Sequence, residues 1–227
     1  MVEDVGVSQE SDCLLGKNIL LIVSGGIAAT ESIKLARELR RHGAIVSPLM
    51  TSSAEKIISP ISLSWGSGFD VITDWDPKMP QLGKFDGLVL APATRNTIAK
   101  FVHGVLDSPA MMALSAASGN GMPMMFVPSM HNDIFDDPVT GDLLESVSEM
   151  GVKVFYDDSK EGRRKQPDPA SIVANFSNFL NSSLEGRKRV AITLGANRAP
   201  IDSIRYVQNT STGETGWSIA EHLHMMG

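Results

Sequence analysis

The sequence has very little cysteine, with Cys13 alone among 227 residues. A single thiol excludes an internal disulfide and a metal centre built on several cysteines, and we expect no metal. Cys13 also falls in an acidic N-terminal stretch, residues 1–16, which we expect to be a disordered tail. A catalytic thiol is therefore not expected either.

Long apolar runs and blocks of positive charge are also missing. No run reaches the roughly 18–20 apolar residues that span a bilayer, and the acidic N-terminus does not resemble a secretory signal. The net charge is −6, with no block of lysine or arginine, which argues against binding to nucleic acid or to an anionic membrane. We expect a cytoplasmic protein that binds neither.

The sequence does contain enough apolar residues for a core, since they make up 42% of the chain. Short apolar runs, such as 19–23 and 88–91, alternate with amphipathic stretches such as 27–41. Continuous apolar runs are typical of parallel strands that are buried on both faces. The pattern predicts a doubly wound, mostly parallel, Rossmann-like α/β sheet with helices on both faces, and a long irregular loop over residues 59–84.

The chain changes character near residue 182. A new strand is predicted at 189–194 and a new helix at 216–226. This part has about 40 residues, which is too few for an independent core, so it is a short C-terminal β/α extension. The expected organisation is a tail at 1–16, an α/β domain at 17–182, a linker at 183–188 and the extension at 189–227.

Four polar segments follow predicted strands: residues 24–29, 51–54, 91–97 and 128–135. Each has a simpler interpretation as a tight turn, a helix cap or, for His131, a surface histidine. The first segment lacks both the dinucleotide glycine spacing and the lysine of a P-loop. Because parallel strands of a doubly wound sheet bind ligands at their carboxyl ends, the coincidence of all four predicts a ligand site. His131 is a candidate proton donor or carboxylate binder there.

These segments resemble the flavin-dependent cysteine decarboxylases, the family of phosphopantothenoylcysteine decarboxylase. Residues 92–97 closely match the family motif P-A-S/T-A-N-T, with Arg95 in place of a small residue. Residues 128–135 match the motif P-x-M-N-x-x-M-W loosely, with His131 at the asparagine and Phe135 at the tryptophan.

The resemblance implies FMN bound in a crevice shared between subunits of a homo-oligomer, a trimer or a dodecamer. In the family the flavin oxidises a substrate thiol, the thioaldehyde loses carbon dioxide, and an enethiol remains. The implied substrate is a small molecule, a phosphopantothenoyl-cysteine-like thiol of coenzyme A biosynthesis, with His131 and Asn132 as catalytic candidates. The cofactor-binding candidates are Ser24, Gly25, Gly26, Ile27, Thr51, Ser52, Ala93, Thr94, Asn96, Thr97, Asp107 and Ser108.

Two segments depart from the family pattern. Relatives have an active-site histidine just before the third strand, but residues 76–85 contain none. Pantothenate-pathway enzymes have a cysteine in a flap after the last strand, and residues 157–167 contain none. We therefore predict an FMN-binding flavoprotein with an atypical active site. Two alternatives stay open at this point: an FMN-dependent reductase of a small molecule, and a non-catalytic regulatory or assembly subunit.

The C-terminal extension has a resemblance of its own. Residues 190–216 look like the opening of phosphopantothenate–cysteine ligase, with Glu214 in place of the usual lysine. The nucleotide-binding and remaining catalytic parts of a ligase are missing from these residues. The resemblance implies a partial ligase-like extension without ligase activity, which packs on the flavin domain or mediates dimerisation. The matching positions are Arg198, Pro200, Asp202, Arg205, Tyr206, Asn209, Ser211, Gly213 and Gly216.

Overall fold

The centre of the molecule is a five-stranded sheet in which every pair of neighbouring strands is parallel. The computed structural model describes residues 6–75, 85–157, 163–164 and 166–227. The strands are β1 (Asn18–Val23), β2 (Ile45–Met50), β3 (Gly87–Ala93), β4 (Met124–Pro128), β5 (Met130–His131), β6 (Lys153–Val154), β7 (Arg163–Arg164), β8 (Arg198–Pro200) and β9 (Tyr206–Gln208). The central sheet has the order β2-β1-β3-β4-β6, so the predicted doubly wound fold is confirmed.

Helices cover both faces of this sheet. Successive side chains of a strand point to opposite faces, and in β1 Ile19 and Leu21 join one core cluster while Leu20 and Ile22 join the other. The first cluster includes residues of α1, α2 and α7, and the second includes residues of α3, α4 and α6. The helices are α1 (Ser32–Arg41), which follows a 3₁₀ helix at Ile27–Glu31, α2 (Pro60–Ser67), α3 (Arg95–Val102), α4 (Pro109–Gly119), α5 (Asn132–Phe135), α6 (Pro138–Glu149), α7 (Pro169–Asn181) and α8 (Glu214–Met225).

Four of the described helices begin in the same way, with a capping side chain followed by proline. The side chain at the cap accepts a hydrogen bond from a backbone N–H of the first turn, and proline needs no partner for its own nitrogen there. These helix starts are therefore encoded locally. The four caps are Ser59 for α2, Ser108 for α4, Asp137 for α6 and Asp168 for α7.

Helix α2 corrects the expectation of an irregular loop over residues 59–84. Pro60 lies in its first turn and Gly68 follows its last residue, where proline and glycine favour a helix boundary rather than disrupting the helix. Leu63 is fully buried in the core. Residues 76–84 of the expected loop lie outside the described residues.

The N-terminal segment differs from the disordered tail expected over residues 1–16. Cys13 and Leu14 are buried, with 4% and 0% of their surface exposed. The backbone N–H of Leu14 donates to the carbonyl of His42 at 2.9 Å, and that of Glu10 donates to the carbonyl of Arg41 at 2.7 Å. This segment therefore packs against the end of α1, because its apolar residues complete the core there. Residues 1–5 lie outside the described residues.

The C-terminal extension contains an antiparallel pair, β8 and β9, followed by α8. The predicted strand at 189–194 is wrong, since within the described residues no strand pairs with it, and an unpaired strand leaves its backbone groups unsatisfied. The side chain of Asn181 in α7 donates to the carbonyl of Met225 at 2.9 Å, which fastens the end of α8 to α7. None of the helices in the described ranges has the length and hydropathy of a membrane-spanning segment.

Candidate functional site

A cavity of about 930 Å³ lies at the carboxyl ends of β1, β3 and β4. Its position agrees with the rule that open α/β sheets bind ligands beyond the carboxyl ends of their strands. Six of the candidate residues line it: Gly25, Gly26, Ile27, Thr94, Asn96 and His131.

The two glycines after β1 have different reasons to be glycine. A Cβ atom at Gly25 would lie 2.3 Å from Cβ of Ser53, so this turn packs directly against the segment that follows β2. A Cβ atom at Gly26 would meet Cγ2 of Thr94 at 3.5 Å, which is ordinary contact. Gly25 is therefore required by packing, whereas Gly26 keeps the cavity wall bare.

A network of hydroxyl groups fixes the loop after β3. The Ser24 hydroxyl donates to the carbonyl of Pro92 at 2.7 Å and accepts from the backbone N–H of Thr94 at 3.0 Å. Oγ1 of Thr94 lies 3.0 Å from Oγ1 of Thr97. Ser24 and Thr97 are buried, with 0% and 5% of their surface exposed. They position the loop from behind rather than line the cavity.

The N-terminus of α3 opens onto the cavity at Arg95 and Asn96. Thr94 is its cap residue but makes no capping hydrogen bond through its side chain. The first N–H groups of a helix have no partner within the helix, and the helix dipole attracts negative charge to them. This wall is therefore suited to an anionic or electron-rich ligand.

The Arg95 side chain turns to Asp137, with its Nη1 atom 2.6 Å from Oδ2 of the aspartate. The pKa of Asp137 is lowered, first by the hydrogen bond from the backbone N–H of Val139 and then by the Arg95 guanidinium. The ion pair joins the start of α3 to the start of α6, and so fixes the rim of the cavity.

The opposite wall contains His131 and Gln166. Both side-chain amide atoms of Gln166 are buried without a hydrogen-bond partner among the described residues. A buried amide without a partner is costly, so this side chain is prepared for polar atoms of a ligand. Sequence reasoning missed Gln166, and its only signal was its place just before the Asp168-Pro169 cap of α7.

The other candidate residues lie elsewhere in the structure. Oδ2 of Asp107 pairs with Nζ of Lys100 at 2.5 Å, and Ser108 caps α4. Oγ1 of Thr51 accepts from the backbone N–H of Ala54 at 3.3 Å. Their roles stay predictions. Eight candidates are not among the described residues of the cavity wall: Ser24, Thr51, Ser52, Ala93, Thr97, Asp107, Ser108 and Asn132.

Two family models match the chain and divide it where α7 ends. The model described as "Flavoprotein" matches residues 7–181. The model described as "DNA/pantothenate metabolism flavoprotein C-terminal domain" matches residues 184–227.

The chain is similar to curated proteins named coenzyme A biosynthesis bifunctional protein CoaBC. It is 37% identical over 222 residues to the protein of Thermococcus kodakarensis, which covers 94% of this chain and 55% of that protein. It is 33% identical over 225 residues to the protein of Escherichia coli K12, covering 91% and 54%. The chain thus spans about half the length of the curated relatives it matches.

Solved structures share the fold of the first domain. A PPC decarboxylase mutant complexed with pantothenoylaminoethenethiol has a TM-score of 0.60 and 22% identity, covering 69% of this chain and 93% of that one. The FMN binding protein AtHal3 has a TM-score of 0.63 and 22% identity, covering 74% and 99%. At this identity the likeness shows the fold alone. The family match covers most of the sequence, and this chain therefore belongs to the flavoprotein family.

Proposed function

We propose that the chain binds FMN in the 930 Å³ cavity and decarboxylates a phosphopantothenoylcysteine-like thiol in coenzyme A biosynthesis. The observation that carries the proposal is the buried amide of Gln166, which lines a strand-end cavity and has no partner among the described residues. The names of the curated relatives support the pathway and, with it, a cytoplasmic setting. The FMN-binding neighbour of the same fold supports the cofactor.

The residues around the cavity fit a flavin nucleotide. The bare backbone at Gly25 and Gly26 and the N-terminus of α3 would hold its phosphate and ribityl groups, because backbone N–H groups at helix starts bind anions. The amide of Gln166 offers a donor and an acceptor to a polar ring edge. The remaining cofactor-binding candidates would contribute from the loops behind this wall. When bound, FMN supplies the two-electron acceptor for oxidation of the substrate thiol.

We propose that His131 moves a proton at the cavity, since it is the histidine among the described lining residues. It ends β5, precedes α5 without a capping hydrogen bond from its side chain, and lines the cavity wall. In this proposal His131 exchanges a proton with the substrate thiol or binds the substrate carboxylate. It would take the place of the histidine that relatives have before the third strand and that residues 76–85 lack. Asn132, the next residue, is the second catalytic candidate, as a hydrogen-bonding group that orients the substrate.

A second copy of the chain would complete this site. Ile27 and Ile134 both line the cavity, and their surfaces are 78% and 38% exposed. Exposed apolar residues around a polar site mark an interaction surface. They support a homo-oligomer, a trimer or a dodecamer, whose neighbouring subunit covers the open side of the cavity.

The test is to load the purified protein with FMN, follow its visible absorbance, and measure carbon dioxide released from phosphopantothenoylcysteine. We expect a coloured protein and carbon dioxide release that falls at least about tenfold in His131→Ala. His103→Ala is the matched control, because His103 follows the last residue of α3 and is not among the described residues of the cavity wall. A folded protein that takes up no FMN would overturn the proposal.

Bound FMN without carbon dioxide release would refute the decarboxylase and leave the two alternatives. Bleaching of the flavin by NADPH would then support a reductase. Flavin that stays oxidised with NADPH would instead support a non-catalytic subunit.

A further inference from the structure

A second cluster of ionisable side chains lies at the end of α1, away from the FMN cavity. Glu10, Glu38 and His42 bring one ligand atom each to within 4.8 Å of one another. Glu38 and His42 are four residues apart and so share one face of the helix. Only 8% and 6% of their surfaces are exposed. Ionisable side chains are seldom buried without a charged partner, and the proposed function does not use this pair.

The two buried side chains are spaced like neighbouring ligands of one ion. Nε2 of His42 lies 3.5 Å from Oε1 of Glu38. Ligand atoms about 2.0–2.2 Å from a tetrahedral zinc ion are about 3.3–3.6 Å apart. The other ring nitrogen, Nδ1 of His42, lies 2.6 Å from the hydroxyl of Ser11. A hydrogen bond at the second nitrogen is how metal-binding histidines are usually oriented.

Arg41 already pairs with both carboxylates of this cluster, so a metal ion would bind beside its guanidinium. Its Nη1 atom lies 2.7 Å from Oε2 of Glu38, and its Nε atom lies 3.7 Å from Oε1 of Glu10. The guanidinium thus takes one oxygen of Glu38 and leaves the other, Oε1, on the side of His42.

The cluster faces a separate cavity of about 620 Å³, which residues of α7 and α8 also line. Glu221 and His224 of α8 line this cavity together with Glu10, Glu38 and His42. Residues three apart on a helix share a face, and the Glu-x-x-His spacing is the one that metal sites between packed helices use. Helices α1 and α8, which belong to different family-matched regions, therefore each place a glutamate and a histidine at the wall of this cavity.

We propose that this cavity is a binding site for a first-row divalent ion such as Zn²⁺, with Glu10, Glu38 and His42 as ligands and His224, which lines the same cavity, turning in as the fourth. A mixed set of imidazole and carboxylate ligands suits zinc. The bound ion fastens α8 to the flavoprotein domain in addition to the hydrogen bond between Asn181 and Met225. The site is independent of FMN.

The test is to titrate tag-free, metal-free protein with Zn²⁺ against a chromogenic chelator. We expect one saturable equivalent. His224→Ala weakens binding at least about tenfold, whereas its matched control His222→Ala, which is not among the described cavity residues, leaves binding unchanged. Ser11→Ala weakens it about tenfold through the orientation of His42.

Replacing the buried ligands can also disturb folding, so Glu38→Gln accompanies His42→Ala. Each variant is compared with the parent protein by circular dichroism before titration. Loss of the zinc equivalent in a folded variant supports the site. The proposal would be overturned if the parent protein showed no saturable zinc binding, or if folded Glu38→Gln bound zinc as tightly as the parent. The cluster would then be an ion-pair network with Arg41. Equal affinities of the His224 and His222 variants would remove α8 from the site.

Discussion

At the scale of single residues, two adjacent glycines have different structural roles. Gly25 and Gly26 follow one another after β1, yet one faces Ser53 and the other faces the cavity. The sequence shows only a glycine pair. The difference comes from the segment after β2, which is brought against this turn by the parallel pairing of β1 and β2.

We predict opposite phenotypes for alanine at these two positions. In Gly25→Ala the new methyl group overlaps Ser53, so we expect a loss of about 1–3 kcal/mol of unfolding free energy. In Gly26→Ala the methyl group occupies cavity space, so we expect weaker FMN binding with little change in stability. Chemical denaturation of the apoprotein and FMN titration separate the two effects. Equal destabilisation by both would contradict the packing explanation.

Gln166 gives a second prediction at this scale. Gln166→Leu removes two buried polar atoms that lack partners among the described residues while nearly keeping the volume of the side chain. We expect the apoprotein to become more stable, by about 1 kcal/mol, because an unsatisfied polar group no longer has to be desolvated. FMN binding should weaken in the same variant. Melting temperatures with and without FMN check both, and a less stable apoprotein would argue against the idea.

At the scale of elements, helix starts are the features that the sequence encodes most directly. The Asp168-Pro169 pair begins α7, and the Asp168 side chain accepts from the backbone N–H of Ser171 at 3.0 Å. Such caps depend on neighbours within three residues, so no tertiary contact is needed to predict them. The prediction of a strand at 189–194 was wrong because a strand needs a partner from elsewhere in the chain, which local sequence does not reveal.

The cap of α7 can be tested by substitution. Asp168→Ala should lower the unfolding free energy by about 1 kcal/mol, whereas Asp168→Asn, which still caps, should lose much less. Denaturant titration at neutral pH measures the difference. An Asn variant as unstable as the Ala variant would show that charge rather than capping matters.

The same side chain has a defined pH dependence. Burial pushes the pKa of Asp168 up, but hydrogen bonds from the hydroxyl and backbone N–H of Ser171 outweigh it and hold the pKa below its ordinary value. The unfolded chain therefore binds this proton more readily. The contribution of Asp168 is fully present above the unfolded pKa of about 4 and is lost as pH falls through the lowered folded value. The stability gap between the parent and Asp168→Asn should close over that acidic window.

At the scale of the whole molecule, the proposed homo-oligomer can be tested at the open side of the cavity. We predict that Ile27→Glu lowers both the mass of the assembly and the retention of FMN, because it places a charge on the proposed contact. Leu15→Glu is the matched control, since Leu15 is 61% exposed and lies before β1, at the opposite edge of the sheet. Light scattering and flavin absorbance provide the two readouts. Loss of FMN without a change in mass would refute the shared site.

The sequence by itself determined the doubly wound sheet and the end of the sheet at which the candidate cavity lies. Continuous apolar runs, caps and prolines are local signals, and the order of strands and helices restricts the topology. It also placed Gly26, Thr94 and His131 at one site, because parallel strands end at the same edge.

Only the tertiary structure decided which of those residues line the cavity and which stand behind it. It packed the N-terminal segment against α1, revealed Gln166, and brought Glu10 and His224 to the cavity that Glu38 and His42 also line. These residues are far apart in sequence, and their meeting depends on how α1, α7 and α8 pack. Long-range packing leaves no local pattern, which is why these features could not be predicted from the sequence.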